Sequence, residues 1–517
     1  MRLIGPIKPI VIVLTALLLS AALLIPAGAQ TQTLTFVLDV EAFRKLEAEA
    51  IAQDLRAVGA TVEVRVWERT ALTDRIRAGE RQAYMQDWGS AYFDPFDLGV
   101  PKLKTKDRGN FSFYSNPEVD RLLEAGVTGT DEARRREAYF KVQDIIFQEA
   151  PWIFGYFRDD THGAASVVEN WEPAMDSRIN LHDVRLARGS VIVVALNTNS
   201  LVSLDPAMHR DRKSETVIRN MFDGLVTRTT RDRVVPQLAE SWRQTSPTTY
   251  EFTLRRGPTF HNGDPVTADD VVFTFERILK GDAAGLGQRK GLLGPLQKVE
   301  KVNETTVRFT LEQPFPVFLQ AIVHFQIVPM KYVQQVGDRA FAEKPIGAGP
   351  FRFVSGTLDS QIVLQRYDKY YGGSPALPPV GPAAVAGAVF RMMPEPATRV
   401  AALKAGEVHI IEDVPIDLLA DLERDPKASV KTTQGTRVFL VELNTARPPF
   451  NNVKVRQAVN YAVNWDAILK NVYRGHARRL ATAFLPSGFG YNANLKPYPY
   501  DPARARALLR EAGYAVR

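Results

Sequence analysis

The chain has 517 residues, 45% hydrophobic and 24% charged, which is a globular composition spread over more length than one ordinary core holds, so two or three domains are expected. A net charge of +7 is small for this size and its charges are interspersed, and no RNP, zinc-finger or basic-helix pattern occurs, so nucleic acid is not an expected partner. There is no cysteine, which excludes disulfides and thiol catalysis.

The N-terminus reads as an export signal. Arg2 and Lys8 form a basic region, Ile10 to Ile25 is apolar, and Ala27-Gly28-Ala29 is a small-residue cleavage site. Residues 1–29 are therefore expected to be removed. The alternative is an uncleaved membrane anchor, because the apolar run approaches spanning length. With no Cys after the cleavage site, lipid attachment is not expected.

Thr33 to Val40 alternates as a strand. Phe43, Leu46, Ile51, Leu55 and Val58 then share a helix face that stops at Gly59, and Val62, Val64 and Val66 alternate again. This is a βαβ unit and predicts a parallel sheet. A short helix ends over Asp74 to Gly79, and an aromatic loop follows: Asp87-Trp88-Gly89-Ser90-Ala91-Tyr92-Phe93-Asp94-Pro95. A helix begins after Ser115-Asn116-Pro117, and a longer one runs from about Asp131 to Glu149. Ser190 to Leu196 is a further strand, followed by Leu204-Asp205-Pro206.

The stretch Leu238 to Leu279 is the most informative. Tyr250, Phe252 and Leu254 alternate with Glu251, Thr253 and Arg255 as in a half-buried strand. Gly257, Pro258 and Asn262-Gly263 supply turns. Thr267, with Asp270 three residues on, is a weak capping box, and Val271, Val272, Phe275 and Ile278 fall at helical spacing. Towards the end, Asp501-Pro502 starts a helix that closes at Gly513.

No catalytic constellation emerges. None of the seven histidines pairs at i,i+3 or i,i+4, and no nucleophile elbow, Walker loop or dinucleotide fingerprint is present. Asp269-Asp270 sits in a helix's first turn, where the helix dipole accounts for it. The expectation is no enzyme, no cofactor and no metal.

The letters from Leu238 onward resemble the signature of solute-binding protein family 5, receptors of ABC importers for dipeptides, oligopeptides and nickel: L-A-x-S-W, then Y-x-F-x-L-R-x-G-x-x-F-H-x-G-x-P-x-T-A-x-D-V-x-F. Gly347-Ala348-Gly349-Pro350-Phe351, Tyr370-Tyr371-Gly372-Gly373, Leu443-Asn444-Thr445 and Val455-Arg456-Gln457-Ala458 resemble further family elements. The opening block resembles the family's C-terminal portion instead, through Trp88-Gly89-Ser90-Ala91-Tyr92, Ser115-Asn116-Pro117-Glu118 and Gln148-Glu149-Ala150-Pro151-Trp152. From Gly189 the chain restarts like a family N-terminus. The order therefore reads as a circular permutation. A fusion of neighbouring gene pieces, or a remnant that no longer binds, are the alternatives.

The resemblance implies the α/β two-lobed periplasmic binding protein fold in its large, three-domain form. It implies lobe I at residues 160–436 and lobe II from residues 30–159 together with 437–517. Tyr156, Val441 and Asn444 would lie at the hinge. Trp88, Ser90, Ala91, Tyr92 and Asp94 would face the ligand from one side, and Asn199, Ser200 and Leu201 from the other. In peptide-binding members an Asp that pairs with the peptide's α-ammonium stands where this chain has Ala91, a departure from ordinary peptide recognition. Nickel-binding members read W-G-A-P-Y here, but the His that follows shortly after is missing. The implied function is a monomeric periplasmic receptor that passes a small or peptide-like solute to an ABC permease and ATPase in the inner membrane. A periplasmic sensor or chaperone-like module on the same fold is the alternative, and a hydrolase a distant one.

Overall fold

A computed structural model describes residues 32–281, 285–377 and 380–516. The export signal read at residues 1–29 lies outside the described residues. Among the described residues no helix is long and apolar enough to cross a membrane.

One 11-stranded mixed sheet runs through the molecule. Its strand order is Phe351–Gly356, Gln361–Arg366, Gly387–Met392, Val191–Leu196, Ile410–Ile411, Trp152–Ala165, Ala428–Leu443, Ala83–Gly89, Thr35–Glu41, Thr61–Trp67, with Ala477–Arg479 pairing to Trp152–Ala165 off this path. The expected βαβ unit is present. Thr35–Glu41 pairs parallel with Thr61–Trp67, and helix Lys45–Ala57 connects them. The strand read from Thr33 starts two residues later, because Gln32–Thr33 turns away to pair parallel with Tyr514–Ala515 beyond the last helix, Pro502–Glu511.

Two strands are far longer than the rest. Trp152–Ala165 has 14 residues and Ala428–Leu443 has 16, and they pair antiparallel from Ala428↔Ala165 to Glu442↔Trp152. Their ends belong to different cores. Tyr156, Phe439 and Val441 pack with Phe36, Ile51 and Leu55 from the start of the chain and Trp465, Leu508 and Leu509 from its end. Ala164, with Val194, Phe390 and Ile410, belongs to a separate cluster. The long strands thus cross between two lobes. The ladder slips between Gln434 and Val438, at the crossing.

A four-stranded antiparallel sheet adds the third layer: Ala239–Ser246, Thr249–Leu254, Thr306–Leu311, Leu296–Asn303. Helix Ala268–Lys280, between the sheet's strands Thr249–Leu254 and Leu296–Asn303 in the chain, has the full capping box, Thr267 and Asp270 each bonding the other's backbone N–H. Val271, Phe275 and Ile278 are buried as the spacing predicts. Glu251, read as the outward partner of Tyr250 and Phe252, is buried too, because Arg243 and Arg308 close over it from the neighbouring strands.

His261 shows what the F-H-x-G letters do. The Gly347 N–H donates to its Nδ1 at 3.2 Å, and its Nε2 lies 3.0 Å from the Gly349 carbonyl, so the neutral ring pins the Gly347–Gly349 turn. Burial pushes this imidazole down to about 4. Between pH 4 and the ordinary value near 6.5 the unfolded chain binds the extra proton and the folded one does not, so stability is full above about pH 6.5 and falls as pH drops towards 4. The slope from this one group is at most about 1.4 kcal/mol per pH unit. His261→Gln should shrink the difference in urea-unfolding stability between pH 7.5 and pH 5 by ~1–2 kcal/mol. An unchanged difference would show that this ring does not carry the acid sensitivity.

Candidate functional site: the interlobe cleft

A cleft of about 1120 Å3 opens between the lobes beside the crossing strands. Its walls combine aromatic faces (Trp88, Tyr92, Phe96, Phe439) with a dense set of charged groups.

The aromatic loop is wound around Asp97. The Asp97 carboxylate accepts from Ser90 Oγ at 2.9 Å, from the Tyr92 N–H at 2.9 Å and from the Ala91 N–H, and its carbonyl accepts from Trp88 Nε1 at 2.6 Å. Burial pushes the Asp97 carboxyl up to about 6, against these donors. Asp94 caps helix Pro95–Leu103 through the Phe96 N–H and pairs with Arg135 at 2.7 Å. So the loop's own acids are spent on holding its shape.

The loop also bridges the lobes. It leaves strand Ala83–Gly89, yet the Tyr92 ring sits in the core built around Leu225, Phe252 and Phe318, and its hydroxyl donates to the Leu292 carbonyl at 2.8 Å. The Ala91 carbonyl accepts from Arg228 Nη1 at 2.7 Å, and the Ser90 carbonyl accepts from Arg212 Nη2 at 3.1 Å. Behind these contacts Glu215 is the node of a buried network: Arg178 Nη1 donates to it at 2.6 Å and His324 Nδ1 lies 2.9 Å away. Glu215 is held well below the usual carboxylate range by Arg178, His324 and Arg289, although burial works the other way.

Of the residues expected at the ligand, Trp88, Ala91 and Tyr92 line the cleft. Ser90 and Asp94 are buried behind it, as braces of the loop. On the far side Asn199 and Ser200 are exposed outside the cleft lining and Leu201 is in a core. The member of that loop that reaches the cleft is Asn197, whose Nδ2 donates to Asp413 at 2.8 Å. Tyr156 and Val441 sit in the core of one lobe, and Asn444 anchors the strand's end through the Gln82 and Arg81 carbonyls. The crossing itself lies at Arg158–Thr161 and Gln434–Arg437.

Sequence reasoning missed the basic wall: Arg158, Arg178, Arg212, Lys213 and Arg437. A signal for part of it was available. His209-Arg210-Asp211-Arg212-Lys213 follows the Leu204-Asp205-Pro206 element and opens helix Arg212–Met221. Among the described residues no group of three His, Asp or Glu is arranged to hold a metal ion.

The profile of the bacterial extracellular solute-binding proteins, family 5 (middle), matches residues 233–517. The glutathione-binding protein GsiB of Pectobacterium atrosepticum is 31% identical over 333 residues, which is 63% of this chain and 62% of that protein. Heme-binding protein A of Haemophilus influenzae is 34% identical over 303 residues, 54% of each chain. This chain thus matches less than two thirds of the length of these relatives. Among solved structures, the periplasmic binding protein DppA of Helicobacter pylori in complex with the peptide STSA aligns with a TM-score of 0.51 at 29% identity, over 63% of this chain and 66% of that one. HbpA2 of Haemophilus parasuis aligns with a TM-score of 0.52 at 28% identity, over 63% and 67%. With more than half of its residues matched by the profile, and the two-lobed architecture in place, the chain belongs to the bacterial extracellular solute-binding proteins of family 5.

Proposed function

We propose that this protein is the extracytoplasmic receptor of an ABC importer. It holds one small or peptide-like solute in the cleft between its lobes and presents it to a membrane permease driven by an ATPase. The observation that carries this reading is the cleft: about 1120 Å3, walled by both lobes and spanned by two long strands. That is just above the roughly 300–1,000 Å3 of small-molecule sites, room enough for a small or peptide-like solute, and a two-strand crossing is where hinge motion is absorbed. A ligand touching both walls stabilises the shut form in proportion to the contacts only that form makes. Family membership and the glutathione-, heme- and dipeptide-binding relatives support the same class. In this reading the protein acts as a monomer in the periplasm after loss of residues 1–29, and it binds without converting its ligand.

A thermal-shift panel of peptides, organic acids, sugars and polyamines tests this. A true ligand at a hundredfold excess over its Kd should stabilise the protein by about 2.7 kcal/mol. A solute that is steadily converted to product by repurified protein would contradict the reading.

The lobes in this proposal are residues 160–436 and, for the other, 30–159 with 437–517, with the chain a circular permutation of its relatives. Two things support it. Residues from 34–85 and 439–514 share one core, and Gln32–Thr33 lies in a parallel ladder with Tyr514–Ala515. Permutation is tolerated where such segments meet at the surface. A rearranged chain, with residue 517 joined to residue 30 by a short Gly-Ser linker and new ends opened between Arg188 and Gly189, should fold with stability within about 2 kcal/mol of the original. Failure of that chain to fold would count against the permuted order.

A further inference from the structure

The cleft carries positive charge at the hinge that the protein's own carboxylates engage only in part. Three arginines line it there. Arg158 and Arg437 stand on the two crossing strands, and Arg212 opens helix Arg212–Met221 on the facing wall. Arg212 donates from Nη1 to Ser177 Oγ at 3.1 Å, and from Nη2 to the Ser90 carbonyl at 3.1 Å and Thr436 Oγ1 at 2.6 Å. All three partners are neutral. Two carboxylates act on it without an ion-pair contact: Asp160, which accepts from the Ser177 hydroxyl, and Asp176. Burial pushes the Arg212 guanidinium below its ordinary value; Asp160 and Asp176 work against this, and Arg437 and Arg178 add to it.

Arg437 lies just across Gly89. A Cβ at Gly89 would stand 3.4 Å from Arg212 Nη2 and 3.7 Å from Arg437 Nη2, so two guanidiniums converge on one point of the cleft wall. Of the pair, only Arg437 touches a carboxylate, that of Asp87. Arg158 lies with its guanidinium 4.6 Å over the Phe439 ring, and among the described residues no carboxylate is in ion-pair contact with it. Other acids of the wall are engaged elsewhere: Asp176 with Arg178, Asp413 with Lys213, Asp159 with Arg478.

Like charges brought together in a partly desolvated cleft are costly unless an anion joins them. Planar guanidinium forks match a carboxylate in both shape and charge. We propose that Arg212 and Arg437, with Arg158 on the same cleft lining, form an oxyanion subsite beside Gly89 that takes a carboxylate of the transported solute, so that the solute is an organic acid. Since two of the three stand on the crossing strands and the third reaches over from the facing helix, the carboxylate ties the lobes together at the hinge. This rests on the receptor reading above.

The test uses matched probes at constant ionic strength: glutathione, L-alanyl-L-alanine and citrate, their esters or amides, and maltose and spermidine as neutral and cationic solutes. Binding is read by titration calorimetry and thermal shift. At least one acid should bind, its ester or amide should bind about tenfold or more weakly, and Arg437→Gln should weaken the acid by a similar factor. Arg437 is half-exposed, but its loss leaves the largely buried Asp87 without its partner, so the unliganded melting temperature of this variant is measured beside its affinity. Arg212→Lys, which keeps the charge and loses the fork, should weaken the acid as well. Maltose or spermidine binding as tightly as any acid, or an acid binding both variants as tightly as the original, overturns the subsite while leaving the receptor reading standing. No binding by any probe, acidic, neutral or cationic, counts against the receptor reading and takes the subsite with it.

Discussion

Lys102→Met is expected to destabilise the protein by about 3–5 kcal/mol, the cost of leaving one member of a buried ion pair alone. Lys102 is 1% exposed and Glu442 is fully buried. The Lys102 ammonium donates to Glu442 Oε1, and it also lies 5.2 Å from the ring centres of Trp88 and Phe111. This pair ties helix Pro95–Leu103, just after the aromatic loop, to the long strand Ala428–Leu443. Without the ammonium, Glu442 keeps a desolvation penalty that already raises its pKa, and it must take up a proton or admit water. The double variant Lys102→Met/Glu442→Leu removes both charges and should recover most of the loss. Urea unfolding measures both. A loss under about 1 kcal/mol for Lys102→Met would mean that the pair is not desolvated as described.

The second large effect is expected at the hinge. Gly435 lies where the two long strands cross, and a Cβ there would sit 2.3 Å from the Arg158 carbonyl oxygen and 3.0 Å from Asp160 Oδ1. The first contact is with backbone, which cannot rotate away. Gly435→Val must push the crossing strands apart at the slip in their ladder, at a cost of about 3 kcal/mol or more. The same displacement moves Thr436, which receives the Arg212 bond, and Arg437. Affinity for any ligand should therefore fall together with stability. Gly406→Val gives a control with a different origin. That site has a positive φ of 77° but no atom within 4 Å of a Cβ, so it should cost stability through backbone strain while leaving affinity intact. Equal affinity for the original and the Gly435→Val protein would show that the crossing does not govern the cleft.

The secondary structure was legible because its signals are local. The capping box at Thr267, the βαβ unit from Thr35 and the turn that ends the helix at Gly59 each rest on a few neighbouring residues. The aromatic loop was legible as a site because Trp88, Tyr92, Phe93 and Phe96 beside Asp87, Asp94 and Asp97 have no reason to sit together on open surface. What the acids do was not legible. Asp94 and Asp97 serve the loop itself, and that depends on where Arg135 and the Ser90–Tyr92 backbone arrive in space. The resemblance set the hinge by Tyr156, Val441 and Asn444, and the ladder of the long strands slips between Gln434 and Val438. Apolar alternation marks the faces of both long strands towards their ends in the cores but gives way to polar residues near the crossing, at residues 158–162 and 431–437, where period-2 patterning assigns no core. The mark in the sequence is Gly435, a residue without a side chain inside a 16-residue strand. The basic wall was hidden because Arg158, Arg212 and Arg437 stand far apart in sequence and line one cleft only when the lobes face each other.

The central claim is that the cleft holds one small solute reversibly and unchanged. Native mass spectrometry of the protein purified under non-denaturing conditions tests it most directly. The account predicts one small-molecule adduct per chain, released on denaturation, recovered with its mass intact and taken up again by the refolded protein. A chain that never carries or re-binds any solute, or one that returns the solute chemically altered, would contradict it.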